Sequence, residues 1–259
     1  MPRVKKIVKR EGLCVWVEEL DRNEYDVTME IDLGLKAEYL VNGRLQSTYS
    51  HGVSGGEKLN PKKEKREKNT PELIVADTAE ISYVWGLGDV PYRHTKTGVE
   101  TKVGMNGSFS FGVAAARRVC ENLGKSEITA QDILEKIRPL INDFGKSELS
   151  QKLNSYDHVS IASVQSEMAQ NIYKKLFDPM FAMGLELKSF NVAGFYFPEE
   201  FLAALKKAED DKKAEEAAFD AKLEQRRKER NETYRQTMEA ENIAKIIKAA
   251  NEEKDKDNK

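Results

Sequence analysis

Cysteine is scarce in this chain. Only Cys14 and Cys120 occur, far apart and outside any Cys-x-x-Cys spacing. That excludes a disulfide framework and a zinc ribbon, and reads as two reduced thiols in a cytosolic protein. Histidine is almost as rare: His51, His94 and His158 are the full set, and none stands at His-Glu-x-x-His or i,i+4 spacing to a second ligand. No metal is expected. No apolar run approaches the ~18–20 residues needed to span a bilayer. The stretch from Met1 to Leu20 is broken by Glu18 and Glu19, so it does not read as a secretory signal. Neither sign of charge dominates: 42 basic and 44 acidic residues leave a net charge of −2. No global field therefore draws the chain to nucleic acid or to an anionic surface.

Catalytic and phosphate-binding signatures are missing too. Ser54-Gly55-Gly56-Glu57 has the look of an ATP-binding-cassette signature loop, but no Gly-x-x-x-x-Gly-Lys-Ser/Thr segment accompanies it. Gly86-Leu87-Gly88 follows a strand but leads into Pro91 rather than a helix, which fails the dinucleotide context. There is no Gly-x-Ser-x-Gly elbow. No catalytic residue and no cofactor is expected, and the chain reads as a non-enzyme.

What is present begins with a long stretch without breakers. From Glu199 to about Ala250 there is no Gly or Pro, and Ala, Glu, Lys, Arg and Gln predominate. This composition predicts one helix. At 1.5 Å per residue it would be roughly 75–80 Å long, more than a small domain covers. Phe201, Leu202, Leu205 and Ala208 supply an apolar seam at its start. Phe219 and Leu223 continue it thinly, followed by Tyr234 and Met238, and Ile243, Ile246 and Ile247 form a denser patch at the end. A strict a/d heptad is absent, so side-by-side packing fits better than a two-stranded zipper. The alternative is a solitary charged helix in solvent, supported by i,i+4 pairs.

Ahead of this helix the sequence is α+β. Leu13–Val17, Leu73–Val75, Ile81–Trp85 and Ser108–Val113 read as strands. Val41-Asn42-Gly43-Arg44 and Met105-Asn106-Gly107-Ser108 each predict a hairpin turn. Residues 54–70, with Gly55-Gly56 and a Lys-rich run, read as a mobile loop. Thr129 and Asp132 form a capping-box signature before a helix whose apolar face is Ile133, Leu134, Ile137, Leu140, Ile141 and Phe144. Pro139 should bend it and Gly145 should end it. A second helix, from about Ser155, carries Ile161, Val164, Met168, Ile172, Leu176 and Met180 before Gly184 ends it. The expected organisation is 1–70 β-rich, 71–198 an α+β domain with a small, mostly antiparallel sheet and packed helices, 199–250 a long charged helix, and 251–259 a disordered tail.

The segment Val84-Trp85-Gly86-Leu87-Gly88-Asp89-Val90-Pro91-Tyr92-Arg93-His94, then Val99 to Val103 and Gly107-Ser108-Phe109-Ser110-Phe111, resembles the SPFH (band 7) superfamily of stomatins, prohibitins, flotillins and HflK/HflC. The likeness is to its bacterial virion-core-protein-like branch. Gly184 to Val192 resembles the family's Gly-led last strand, and Pro198-Glu199-Glu200 the start of its long helix. The likeness covers roughly residues 70 to 210, and His94 stands where the branch usually has an acidic residue. The resemblance implies a scaffold that self-assembles into a ring or cage, organising a membrane patch or enclosing partner proteins. It implies a cytoplasmic protein, peripheral at the inner face of a membrane if it meets one, with copies of itself as principal partner and no nucleic acid. The residues expected at the oligomer interface are Phe195, Phe197, Phe201, Leu205, Phe219, Leu223, Met238, Ile243, Ile246 and Ile247. Two alternatives stay open: an adaptor whose helix pairs with one foreign partner, and an enzyme whose site carries no recognisable motif.

Overall fold

The computed structural model describes residues 3–20, 27–54 and 71–257. The loop expected over 54–70 lies, apart from Ser54, outside them. Two compact units emerge, Met1–Pro198 and Glu199–Lys259.

The first unit is α+β and, among the described residues, built on three sheets. β1 (Arg3–Ile7), β3 (Val27–Ile31) and β6 (Gly52–Ser54) form one, in the order β1-β3-β6, with β1 parallel to β3. The second runs β10-β2-β7-β4-β5, from β2 (Leu13–Glu19), β4 (Leu35–Val41), β5 (Arg44–Tyr49), β7 (Pro71–Asp77) and β10 (Glu127–Thr129). β7 thus lies between β2 and β4, so residues 1–70 and 71–198 share one sheet and the boundary expected near residue 70 is crossed by it. Ile7, Met29 and Ile31 from the first sheet meet Trp16, Leu35, Tyr39, Leu73 and Val75 from the second in one core.

The third sheet is antiparallel: β8 (Ile81–Arg93), β9 (Glu100–Val113) and β11 (Leu185–Tyr196), in the order β11-β9-β8. Its apolar face packs on α2 (Ala130–Leu153) and α3 (Gln165–Ala182), the latter entered through a 3-10 turn, Ser160–Val164. Ile133, Leu134, Ile137 and Ile141 of α2 are buried, as are Ile161, Val164, Met168, Ile172, Leu176 and Met180 along the turn and α3. The stripes expected from three- and four-residue spacing are therefore the ones that face the core, except that Leu140 and Phe144 of α2 are only half-buried. At the start of α2 the capping box is complete: Asp132 N–H donates to the Thr129 hydroxyl, and Thr129 N–H donates to the Asp132 carboxylate at 2.8 Å.

The two Asn-Gly pairs part company. Asn42 and Gly43 both take positive φ, 50° and 71°, and join β4 to β5 in a two-residue turn. Asn106-Gly107 makes no turn and sits inside β9. Its glycine answers a different need. A Cβ there would overlap the carbonyl oxygen of Asn191 on β11 and stand 2.8 Å from the Trp85 ring on β8. Only a hydrogen lets three strands close around that point.

Gly145 is likewise no stop, and α2 continues to Leu153. Its missing side chain makes room for Leu87, whose Cδ2 an added Cβ would overlap. Gly184 does end the helical segment, at φ 85° against the Ala115 carbonyl. β8 runs on through Gly86 and Gly88, with a register shift between Leu87 and Val90 and Asp89 at φ 62°. This bulge absorbs the extra residue without ending the strand. Ser110, between the buried rings of Phe109 and Phe111, is itself only 3% exposed and meets the Ser189 hydroxyl at 2.6 Å. The second face of β9 is therefore covered as well there.

The second unit is α4 (Glu199–Asp257), 59 residues in one helix and about 90 Å long at 1.5 Å per residue. It passes the expected end near Ala250, so residues 251–257 are helical rather than a disordered tail. Glu, Lys and Asp carry it on, and neither Gly nor Pro intervenes.

Candidate functional site

The surface expected to carry the protein's function is apolar, and it is distributed unevenly. Phe195 and Phe197 sit at the end of β11 and just beyond it. Both are half-buried in the first unit. The Phe197 ring packs edge-on against Tyr92 at 6.1 Å and His158 at 6.1 Å, and His158 meets His94 at 5.8 Å. His94 is 2% exposed, and its Nδ1 accepts the Thr97 backbone N–H at 3.3 Å. Two of the three histidines thus belong to an aromatic cluster, and no set of three or more metal-binding side chains forms among the described residues.

On α4, Phe201 and Leu205 are buried. Further along, Phe219 is 63% exposed, Leu223 45%, Tyr234 67% and Met238 42%. These side chains form three i,i+4 pairs: 201/205, 219/223 and 234/238. The first two pairs are 18 residues apart, about five whole turns at 3.6 residues per turn, and the third pair follows after 15. All six therefore fall on one stripe roughly 100° wide, the width of an ordinary packing face. Ile243, 58% exposed, lies off that stripe. The Ile246 and Ile247 side chains lie outside the described residues.

Around the stripe the helix is charged. Glu224 pairs with Lys228 at 3.2 Å and Arg235 with Glu239 at 3.9 Å, each across one turn. Such pairs keep an isolated helix formed but contribute only about 0.2–0.5 kcal/mol each.

A second apolar surface was not expected. Tyr173, Phe177 and Phe181 ladder along α3 at i, i+4 and i+8, with centroids 6.3 and 6.4 Å apart. Phe177 is 44% exposed and Phe181 54%, and the Arg118 guanidinium lies 5.4 Å over the Phe181 ring. The signal was present in the spacing but masked by the stronger core stripe one quarter-turn away on the same helix.

Burial pushes both Cys14 and Cys120 thiols up to about 11, so both stay protonated near neutral pH and make poor nucleophiles. The buried Glu148 is engaged by Asn171 at 2.7 Å and Lys175 at 3.0 Å, tying α2 to α3. No described helix is long and apolar enough to cross a membrane.

A model of the SPFH domain / Band 7 family matches residues 72–230, from β7 into the middle of α4. No curated protein matches the chain.

Proposed function

The chain belongs to the SPFH domain / Band 7 family, whose members are generally membrane-associated, non-enzymatic scaffolds, and from that premise we propose that it self-assembles through α4. In this reading, copies align their long helices side by side into a homo-oligomeric ring or cage that organises a membrane patch or encloses partner proteins. The single observation that carries it is the stripe of Phe219, Leu223, Tyr234 and Met238, exposed on a helix far longer than the sheet unit needs. Aromatic and aliphatic side chains held in water at regular spacing are surface awaiting a partner.

The interface consists of the exposed pairs 219/223 and 234/238, with a separate patch of Ile243, Ile246 and Ile247 near the far end and Phe195 and Phe197 at its base, whereas Phe201 and Leu205, expected to belong to it, are already buried. The chain sits at the cytoplasmic face of a membrane, held there by a partner rather than by a span of its own. The 84–94 and 107–111 motifs favour the virion-core-protein-like branch. Stopping the chain after Pro198 tests the reading: the shortened protein should remain folded by circular dichroism and lose the large assembly. Full assembly without α4 would show that the helix is not the organiser. Assembly of the intact chain only when a foreign partner is added would favour an adaptor instead.

A further inference from the structure

A cleft of about 340 Å³ opens between β8 and α2, bounded by Tyr83, Trp85, Phe109, Leu134, Arg138 and Asn142. Its volume falls at the small end of the range for ligand pockets. The polar groups around it are mainly donors. Arg138 donates to the Tyr83 hydroxyl at 2.7 Å and lies 5.9 Å over that ring. A guanidinium cannot accept, so the phenol's own proton remains available to a second acceptor. Trp85 is 5% exposed, and its indole N–H has no hydrogen-bond partner among the described residues.

The residues that line the cleft bring a cation, a phenol and a carboxamide, and no carboxylate. The walls between these groups are the rings of Tyr83 and Phe109 and the side chains of Leu134 and Ile141. A cation among donors selects an anion, and apolar walls select an apolar body. Together they select both in one molecule.

We propose that this cleft binds a small monocarboxylate with an apolar body, its head taken by Arg138 and Tyr83 and its tail lying against Trp85, Phe109 and Leu134. Nothing in this site depends on the assembly through α4. A free aliphatic acid and the C-terminal residue of an apolar peptide share this chemistry, so both are tried.

The chain has two tryptophans, Trp16 and Trp85. In a Trp16→Phe variant the emission reports on Trp85 alone. Bromine quenches indole on contact, so the probes are 8-bromooctanoate and, as the uncharged control, 8-bromooctanol. N-acetylphenylalanine, titrated by calorimetry, stands for a peptide end. The expected result is saturable quenching by the bromooctanoate, with bromooctanol binding about 10–100-fold more weakly, the worth of a charge-assisted contact. Arg138→Gln should abolish that preference while leaving the bromooctanol response in place, which a merely structural arginine would not do. Tighter binding of the octanoate assigns the cleft to free acids, and tighter binding of N-acetylphenylalanine assigns it to peptide ends. Should Trp16→Phe fail to fold, calorimetry of octanoate on the wild type and on Arg138→Gln reads the same difference. Equal affinity for acid and alcohol, or no saturable binding of either acid, overturns the proposal.

Discussion

Glu38, on β4, caps a helix that begins 78 residues later: its carboxylate oxygens accept the backbone N–H of Ala116 at 3.0 Å and of Arg117 at 2.9 Å. The helix, α1 (Ala116–Leu123), starts at Ala115, which has no side chain able to cap it. A carboxylate at a helix N-terminus both satisfies orphan donors and meets the positive end of the dipole. Because Glu38 is only 5% exposed, the contact is shielded from water, and it ties the second sheet to the segment that leads into α2. Glu38→Ala should therefore cost about 1–3 kcal/mol, the penalty for leaving buried donors unpaired. Thermal unfolding followed by circular dichroism checks it, and an unchanged midpoint would contradict the assignment.

Acid should weaken the first unit. Burial pushes the Glu148 carboxyl up, but hydrogen bonds from Asn171 and Lys175 outweigh burial and leave it below the ordinary glutamate value of 4.5. Asp157 is held down to about 2 by the Ser160 hydroxyl and the N–H groups of Ser160 and Val159. A carboxylate lowered in the folded state adds stability that is fully present above its unfolded pKa. That stability is lost as pH falls through the folded value. The unfolding midpoint should stay level from pH 7 to about 5 and drop below about 4, where the unfolded carboxylates take up protons first. Glu148→Gln should flatten part of that drop, and a midpoint indifferent to pH between 5 and 3 would refute the pairing.

Gly107 and Gly112 lie on the same strand and should respond oppositely to substitution. Gly107→Ala forces a methyl into the Asn191 carbonyl, a backbone atom that moves only if β9 and β11 separate. Gly112→Ala meets nothing nearer than the flexible end of Lys188 at 3.9 Å. The first should cost about 3 kcal/mol, at the upper end for overpacking, and lower the midpoint by several degrees. The second should change it by less than about 1 kcal/mol, as surface-like substitutions do. Denaturant unfolding of the two variants decides the matter.

Charge along α4 sets an expected stagger between neighbouring arms. Residues 209–220 carry six acidic and two basic side chains, and residues 222–235 carry six basic and three acidic. Arms packed in register would stack each block on its like, whereas arms inclined to the axis of a closed ring meet with a shift, and one of about 14 residues, roughly 21 Å, sets opposite blocks side by side. Disulfide trapping reads the register. Ala217→Cys mixed with Asn231→Cys should give more cross-linked product than Ala217→Cys alone, and the excess should fall in high salt as exposed charges are screened. Dominance of the 217–217 product would show that charge does not set the packing.

The sequence made the helices, their core faces and the capping box of α2 legible, because each rests on local chemistry at fixed spacing. The long helix was legible for the same reason, except at its end, where propensity alone draws no boundary. Gly107 and Gly145 were misread because the need for a glycine there comes from strands and side chains distant in sequence. Glu38 escaped notice on the same ground, since nothing near residue 38 announces a helix at 116. Of the candidate surface, the 201/205, 219/223 and 234/238 pairs could be seen in the spacing. The Tyr173–Phe177–Phe181 ladder could not be separated from the core stripe until burial did so. The cleft beside Trp85 joins β8 to α2 across 53 residues, from Trp85 to Arg138, and leaves no trace in either segment alone.

Everything about the proposed role turns on whether the chain assembles. Mass photometry of the purified intact protein, diluted from micromolar stock, measures this directly. A discrete particle many times the chain's 29.4 kDa is the expected result. A single population at the mass of one chain would contradict the account.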